Sequence, residues 1–288
     1  MVFLWIVSNG TYTIYEENEK MKKFFALLLA LCMVLALAAC GQQAAPAEQP
    51  AEAPAEEPAE APAEAPAEAP AEEPAEEVAV MSYDEYAAAA VDDQVVIEAY
   101  VQATQSWWDN KISVYAQDQD GAYFLYDMAC SEEDAAKLVP GQKIRVTGYK
   151  GEWSGEVEIM DATFEFVDGD SFVAEPIDLA ALLGTDELAS HMNQFFSLSG
   201  AKVADKGEGA AFFYNWDNSG EDGNCDLYFD VEVNGETYTF VVRRYLTAPG
   251  SEVYETVKNL QVGDTVDIEG YLYWYEGPQP HISAITVK

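Results

Sequence analysis

Histidine occurs only twice and cysteine only four times in these 288 residues, and lysine and arginine together number 14 against 52 aspartates and glutamates. Each scarcity removes a class of function. His191 and His281 have no partner at a metal-ligand spacing, and no Gly-x-Ser-x-Gly, phosphate loop or Cys-x-x-Cys occurs. No catalytic motif therefore stands out, and a hydrolase is the least supported class. The formal net charge is −38. Affinity for DNA or RNA comes largely from lysine and arginine neutralising phosphates, so this balance argues against nucleic acid as a partner. Long apolar runs are also scarce. The run from Phe24 to Ala38 has 15 residues, short of the roughly 20 that a helix needs to cross the hydrocarbon core.

That run follows a charged start, Met21-Lys22-Lys23, and is followed by Leu37-Ala38-Ala39-Cys40-Gly41. The order is that of a signal peptide, with small residues where a peptidase cuts. Leu-Ala-Ala-Cys resembles the lipobox of bacterial lipoproteins. The resemblance implies that Cys40 becomes the lipid-modified first residue of the mature chain, anchoring it to the outer, extracytoplasmic face of the cell membrane. Residues 1–40 are the expected signal region, with Met21 the expected start, because residues 1–20 precede a complete signal.

From residue 41 to about residue 80 the composition collapses to Ala, Pro, Glu and a few Gln, with Ala-Pro-Ala-Glu recurring. Such a segment cannot bury a core. Frequent proline forbids a helix and favours extended polyproline II, at about 3.1 Å per residue, so this stalk would reach on the order of 100 Å. A spacer through a cell wall is the expectation. Beyond it, residues 81–288 carry 38 acidic and 11 basic side chains, a net charge of −27, which keeps a protein soluble outside the cell. Of the four cysteines, Cys32 lies in the apolar run and Cys40 carries the expected lipid. Cys130 and Cys225 remain, far apart, and two buried free thiols are expected.

The clearest signal is an internal repeat. Leu138-Val-Pro-Gly141-Gln-Lys-Ile144-Arg-Val146-Thr-Gly148-Tyr149 returns as Leu260-Gln-Val-Gly263-Asp-Thr-Val266-Asp-Ile268-Glu-Gly270-Tyr271, without a gap, at an offset of 122 residues. Around the first copy, Ser82-x-x-Glu85 reads as a capping box, and strands are predicted at 95–101, 111–117, 122–126, 142–149 and 156–166, with a helix at 131–138. Asp120-Gly121 marks a hairpin whose glycine is expected to supply a positive φ. Around the second copy, strands are predicted at 194–203, 227–233, 236–244, 265–272 and 282–287, with a helix at 252–260 and a turn at Asn234-Gly235. Three strands, a helix and two strands is the order of the OB-fold, a five-stranded, partly open barrel. The sequence therefore resembles tandem OB-fold modules: an all-β chain with short helices, domain 1 at residues 81–168, a connector at 169–184 and domain 2 at 185–288.

OB-folds bind on the face of strands two and three, framed by the loops after strands one and four. Trp107, Trp108 and Trp153 fall in those loops of domain 1, and Tyr214, Trp216, Trp274 and Tyr275 in those of domain 2. Exposed aromatic rings stack on sugar rings, bases or peptide side chains, whereas the bland reading is that they close the barrel ends. The expected function is a non-catalytic binding module for a glycan, a peptide or a surface protein, with exported nucleic-acid binding as an alternative. A further alternative is a calcium-stabilised structural or adhesion protein. Asp217, Ser219, Glu221, Asp222 and Asp226 pack oxygen ligands closely, as a calcium loop requires, but the spacing departs from the EF-hand pattern. No other cofactor is implied.

Overall fold

A computed structural model describes residues 79–288. The expected signal region, Cys40 and nearly all of the stalk lie outside the described residues. Helix α1 (Tyr83–Ala88) comes first, followed by strands β1 (Gln94–Thr104), β2 (Lys111–Gln117) and β3 (Ala122–Ala129). A short helix α2 (Glu132–Ala135) leads into β4 (Lys143–Trp153) and β5 (Glu156–Phe166). The strands close into a barrel in the order β1-β2-β3-β5-β4, sealed by antiparallel pairing of β4 with β1. Only β3 and β5 run parallel, through Phe124–Leu125 and Glu158–Ile159. Period-two alternation fills the barrel: Val95, Ile97, Ala99 and Val101 of β1 meet Ile112, Val114 and Ala116 of β2 in one buried cluster.

Local chemistry explains the ends of the elements. The Ser82 hydroxyl accepts from the Glu85 amide, and the Glu85 carboxylate accepts from the Ser82 amide at 2.8 Å, a complete capping box. At the other end of α1, Lys150 Nζ donates to the carbonyls of Tyr86, Ala87 and Ala89 at 2.8–3.0 Å, a cation on the negative pole of the helix. Helix α2 is shorter than predicted. Past Ala135 the chain tightens into i→i+3 bonds, with the Lys137 and Leu138 amides donating to the Asp134 and Ala135 carbonyls. The Gly121 expectation is corrected: this residue has no left-handed φ. Asp118 Oδ1 accepts the amides of Asp120 and Gly121, each at 2.8 Å, and a Cβ on Gly121 would lie 2.2 Å from the Tyr83 ring. Glycine is needed there for close approach.

The second barrel repeats the plan. A strand β6 (Ile177–Asp178) and a helix α3 (Leu179–Leu182) precede β7 (Phe195–Val203), β8 (Phe212–Tyr214), β9 (Leu227–Val233) and β10 (Glu236–Val242). Helix α4 (Glu252–Lys258), β11 (Thr265–Tyr271) and β12 (His281–Val287) complete it. Strands β7-β11-β12-β10-β9 close on themselves through the β7–β9 pairing, with β6 and β8 added at the sides. Asn234 and Gly235 take φ of 57° and 86°, as a two-residue hairpin turn demands. The connector expected at 169–184 is corrected: its second half belongs to this barrel, with Leu179 and Leu183 buried in the second core. β8 was not predicted, because three residues are too few for a periodic signal.

The repeated motif has a physical meaning at five of its six matched positions; the sixth pair, Tyr149 and Tyr271, differs, the first exposed and the second buried. Leu138 and Leu260, Ile144 and Val266, and Val146 and Ile268 are buried in their respective cores. Gly141 and Gly263 take φ of 87° and 96°, and their amides donate at 2.8 Å to Val101 and Val203, the equivalent carbonyls. Gly148 and Gly270 sit where the register slips, and a Cβ there would lie 2.8 Å from the Met160 carbonyl oxygen or 2.2 Å from that of His281. The described residues are two closed five-stranded barrels with OB-fold strand order, within one compact unit.

Candidate functional site

Strand alternation alone would place Tyr115 of β2 and Phe124 of β3 on the outside of the first barrel. Both are buried, because Tyr271 and Tyr273 of the second barrel cover them. Tyr115 and Tyr271 stack at 4.5 Å between centroids, and Phe124 meets Tyr273 edge-on at 5.3 Å. Polar pins surround this seam. Gln117 Oε1 accepts from the Phe195 amide at 3.0 Å, and the Glu276 amide donates to the Ser154 carbonyl at 2.7 Å. Glu156, fully buried, accepts from Asn193 Nδ2 at 2.6 Å and from the Trp274 amide at 2.8 Å. Burial pushes its carboxyl up to about 8, against the pull of those donors. Glu158, on the same strand, is pushed up to about 7 by burial and by Asp127.

Beside the seam lies a cleft of about 540 Å³ lined by Trp153, Trp216, Tyr228, Arg243, Tyr273, Tyr275, Glu276, Gln279 and His281. The first barrel contributes Trp153, carried to the cleft by the β4–β5 hairpin. That hairpin turns through Ser154 and Gly155, with φ of 50° and 91°, and a Cβ on Gly155 would lie 3.0 Å from the Trp274 ring. Glycine thus lets the hairpin tip pack against the second barrel. Trp216 comes from the loop between β8 and β9, and Tyr275 from the loop between β11 and β12. Trp153, Trp216 and Tyr275 are 61%, 73% and 44% exposed, so three large rings stand in water around one concavity. Arg243 Nη1 donates to Asp226 at 2.5 Å, and burial is overcome by that carboxylate, which holds the guanidinium charged.

Three of the seven aromatic residues nominated from the sequence meet at this cleft, three pack into the barrels and one, Trp108, stands elsewhere on the surface. Trp107 packs against the first core and donates from Nε1 to the Cys130 carbonyl at 2.9 Å. Trp108 is 77% exposed and lies outside the cleft lining. Trp274 and Tyr214 pack against the second core. The sequence leaves open whether the two barrels share one groove; Trp153 of the first barrel and Trp216 and Tyr275 of the second line the same cleft. Tyr228, Arg243, Tyr273, Gln279 and His281 were not nominated. They sit on or beside strands, and only the docking of the second barrel against the first makes them line a cavity.

Most carboxylates of the loop nominated for calcium have local partners. Asp217 Oδ1 accepts the Ser219 amide at 3.1 Å, Asp222 pairs with Lys258 at 2.8 Å, and Asp226 faces Arg243 and the Arg244 amide. Three of the four carboxylates are spent on turn geometry and local cations, and among the described residues no three or more His, Cys, Asp or Glu side chains gather as metal ligands. Cys130 and Cys225 are both buried free thiols.

No protein-family model matches the chain, and no curated protein matches it. Among solved structures it is similar to a murine DNA-binding protein bound with double-stranded DNA, at 11% identity over 68% of this chain and 98% of that one, with a TM-score of 0.33. It is also similar to the p204 HINb domain, at 12% identity over 69% and 98% of the two chains, with a TM-score of 0.31. A replication protein A heterotrimer bound to single-stranded DNA gives 11% identity, 68% and 49% coverage and a TM-score of 0.26. The likeness is one of backbone arrangement. The chain is built on tandem five-stranded barrels.

Proposed function

We propose that this chain is a non-catalytic binding module of the cell surface, holding a glycan ring in the cleft between its two barrels. One observation carries the reading: Trp153, Trp216 and Tyr275, contributed by both barrels, converge on a single 540 Å³ cleft while remaining 61%, 73% and 44% exposed. Large rings left in water are costly, and a concave group of them matches the flat, weakly polar faces of sugars. Bases stack on such rings too, so single-stranded DNA is the competing occupant. Against it stands the charge of residues 81–288, 38 acidic against 11 basic side chains, because phosphate neutralisation needs cations.

The location belongs to the same proposal. Leu37-Ala38-Ala39-Cys40 supports a lipid anchor on the extracytoplasmic face of the membrane, and the Ala/Pro/Glu stalk supports display at a distance from it. The test is tryptophan fluorescence of the full chain, titrated with soluble cell-wall glycan fragments, a panel of neutral and acidic oligosaccharides, and single-stranded DNA. The expected result is a saturable shift with glycan, weakened at least tenfold in Trp153→Ala at an unchanged melting temperature. Saturation by DNA alone, or by nothing in the panel, overturns it.

A further inference from the structure

The floor of the cleft is made by two side chains that the aromatic reading does not use. His281 opens β12 and is only 3% exposed, yet it lines the cleft. Its Nδ1 lies 2.6 Å from the Tyr115 hydroxyl across the seam, and its ring stacks on Tyr273 at 4.1 Å. Gln105 Nε2 reaches the same hydroxyl oxygen at 3.3 Å and can only donate to it. The Tyr115 proton then needs an acceptor, and Nδ1 is the one within reach, so the imidazole carries its own proton on Nε2. Burial, together with the Arg243 charge, pushes the His281 pKa well below its ordinary value and keeps the ring neutral. Nε2 has no protein partner and is not among the buried polar atoms without one, so this N–H opens on the cleft.

Arg243 stands beside it. Of its guanidinium donors only Nη1 is engaged, on Asp226. Nε is buried without a partner, and Nη2 is left free at a side chain 38% exposed. The floor therefore presents N–H donors from two residues, one of them charged, under walls of aromatic carbon. The one carboxylate in the lining, Glu276, is exposed, so water screens it. The net charge of the barrels acts from further away and is damped beyond about 8 Å at physiological salt.

Resting on the cleft reading above, we infer that the ligand is a sugar ring bearing a carboxylate, stacked between Trp153, Trp216 and Tyr275 and read at that carboxylate by Arg243 and His281 Nε2–H. A charged guanidinium and a neutral imidazole N–H side by side on the floor favour an anionic or carbonyl oxygen over a hydroxymethyl group.

The test compares methyl β-D-glucuronide with methyl β-D-glucoside, which share a ring and differ at the carboxylate, by titration of the full chain followed through tryptophan fluorescence. The glucuronide is expected to bind at least tenfold more tightly, and Arg243→Gln to bring both to the glucoside value. Because Arg243→Gln strips Asp226 of its partner and can unfold the chain, imidazole ¹⁵N shifts of the unaltered protein give a second readout. They are expected to show His281 protonated on Nε2, with that nitrogen moving on addition of glucuronide. Equal binding of both sugars, or a proton on Nδ1, overturns this inference and leaves the aromatic cleft standing. Binding of neither sugar, with no glycan of the wider panel bound, overturns the cleft itself.

Discussion

Several single residues are dictated by contacts that no periodicity reveals. Gly148 and Gly270 occupy the same place in the two copies of the repeat, and the pattern of apolar positions around them announces a strand with no hint of why glycine recurs. The reason is the bulge, where the partner strand presses against the α-carbon. At Gly270 an added Cβ would lie 2.2 Å from the His281 carbonyl oxygen and 2.8 Å from the Ile282 α-carbon, and backbone cannot swing aside as a side chain end can. Gly270→Ala is expected to cost about 3 kcal/mol, whereas Gly263→Ala, which meets nothing within 4 Å but has a φ of 96°, is expected to cost about 1 kcal/mol. Urea denaturation of the two variants checks the ordering. A loss at Gly270→Ala no larger than that at Gly263→Ala would mean that crowding by the His281 backbone does not keep Gly270.

At the scale of elements, ten barrel strands were legible because half-buried strands alternate and turns carry their own chemistry. β8 and β6 were too short to alternate, and α2 ends early as the chain tightens into i→i+3 turns at Lys137 and Leu138. What alternation hides is where a strand's outer face is covered. Glu156 at the start of β5 reads as a solvated carboxylate beside a hairpin, yet it is fully buried at the seam. Its pKa, about 8 in the folded chain, lies far above the roughly 4.3 of an unfolded glutamate. The folded state therefore binds the proton more tightly. Its stabilisation is complete below the unfolded value and is lost as pH rises through 8. His281 acts in the opposite direction, since its pKa is depressed and its contribution is lost as pH falls below about 6.5. Between pH 6.5 and 8 the Glu156 effect stands alone apart from Glu158, which has the same sign. Stability is expected to fall by on the order of 2 kcal/mol across that window, and Glu156→Gln to flatten most of the fall. A wild-type profile that rises with pH there would refute the protonated seam.

For the whole molecule, the repeat suggests two independent modules, and the seam argues otherwise. Tyr115, Phe124 and Tyr271 form a third buried cluster that belongs to neither barrel core, and every pin around it joins one barrel to the other. Cutting the barrels apart would expose these rings and uncover Glu156 as well. Apolar and aromatic area of that kind is worth several kcal/mol at about 25 cal/mol per Å², comparable to the stability of a small domain. The barrels should therefore unfold together. A single calorimetric transition, with van't Hoff and calorimetric enthalpies equal, is the expected result for the unaltered chain. Tyr271→Ala, which empties the centre of the seam, is expected to lower that transition and to split it in two. Two transitions in the unaltered chain would show the barrels to be independent. The cleft would then lose its fixed geometry, since Trp153 reaches it from one barrel and Trp216, Tyr275, Arg243 and His281 from the other. The same seam thus holds the fold together and sets the distance between the rings that a ligand must bridge.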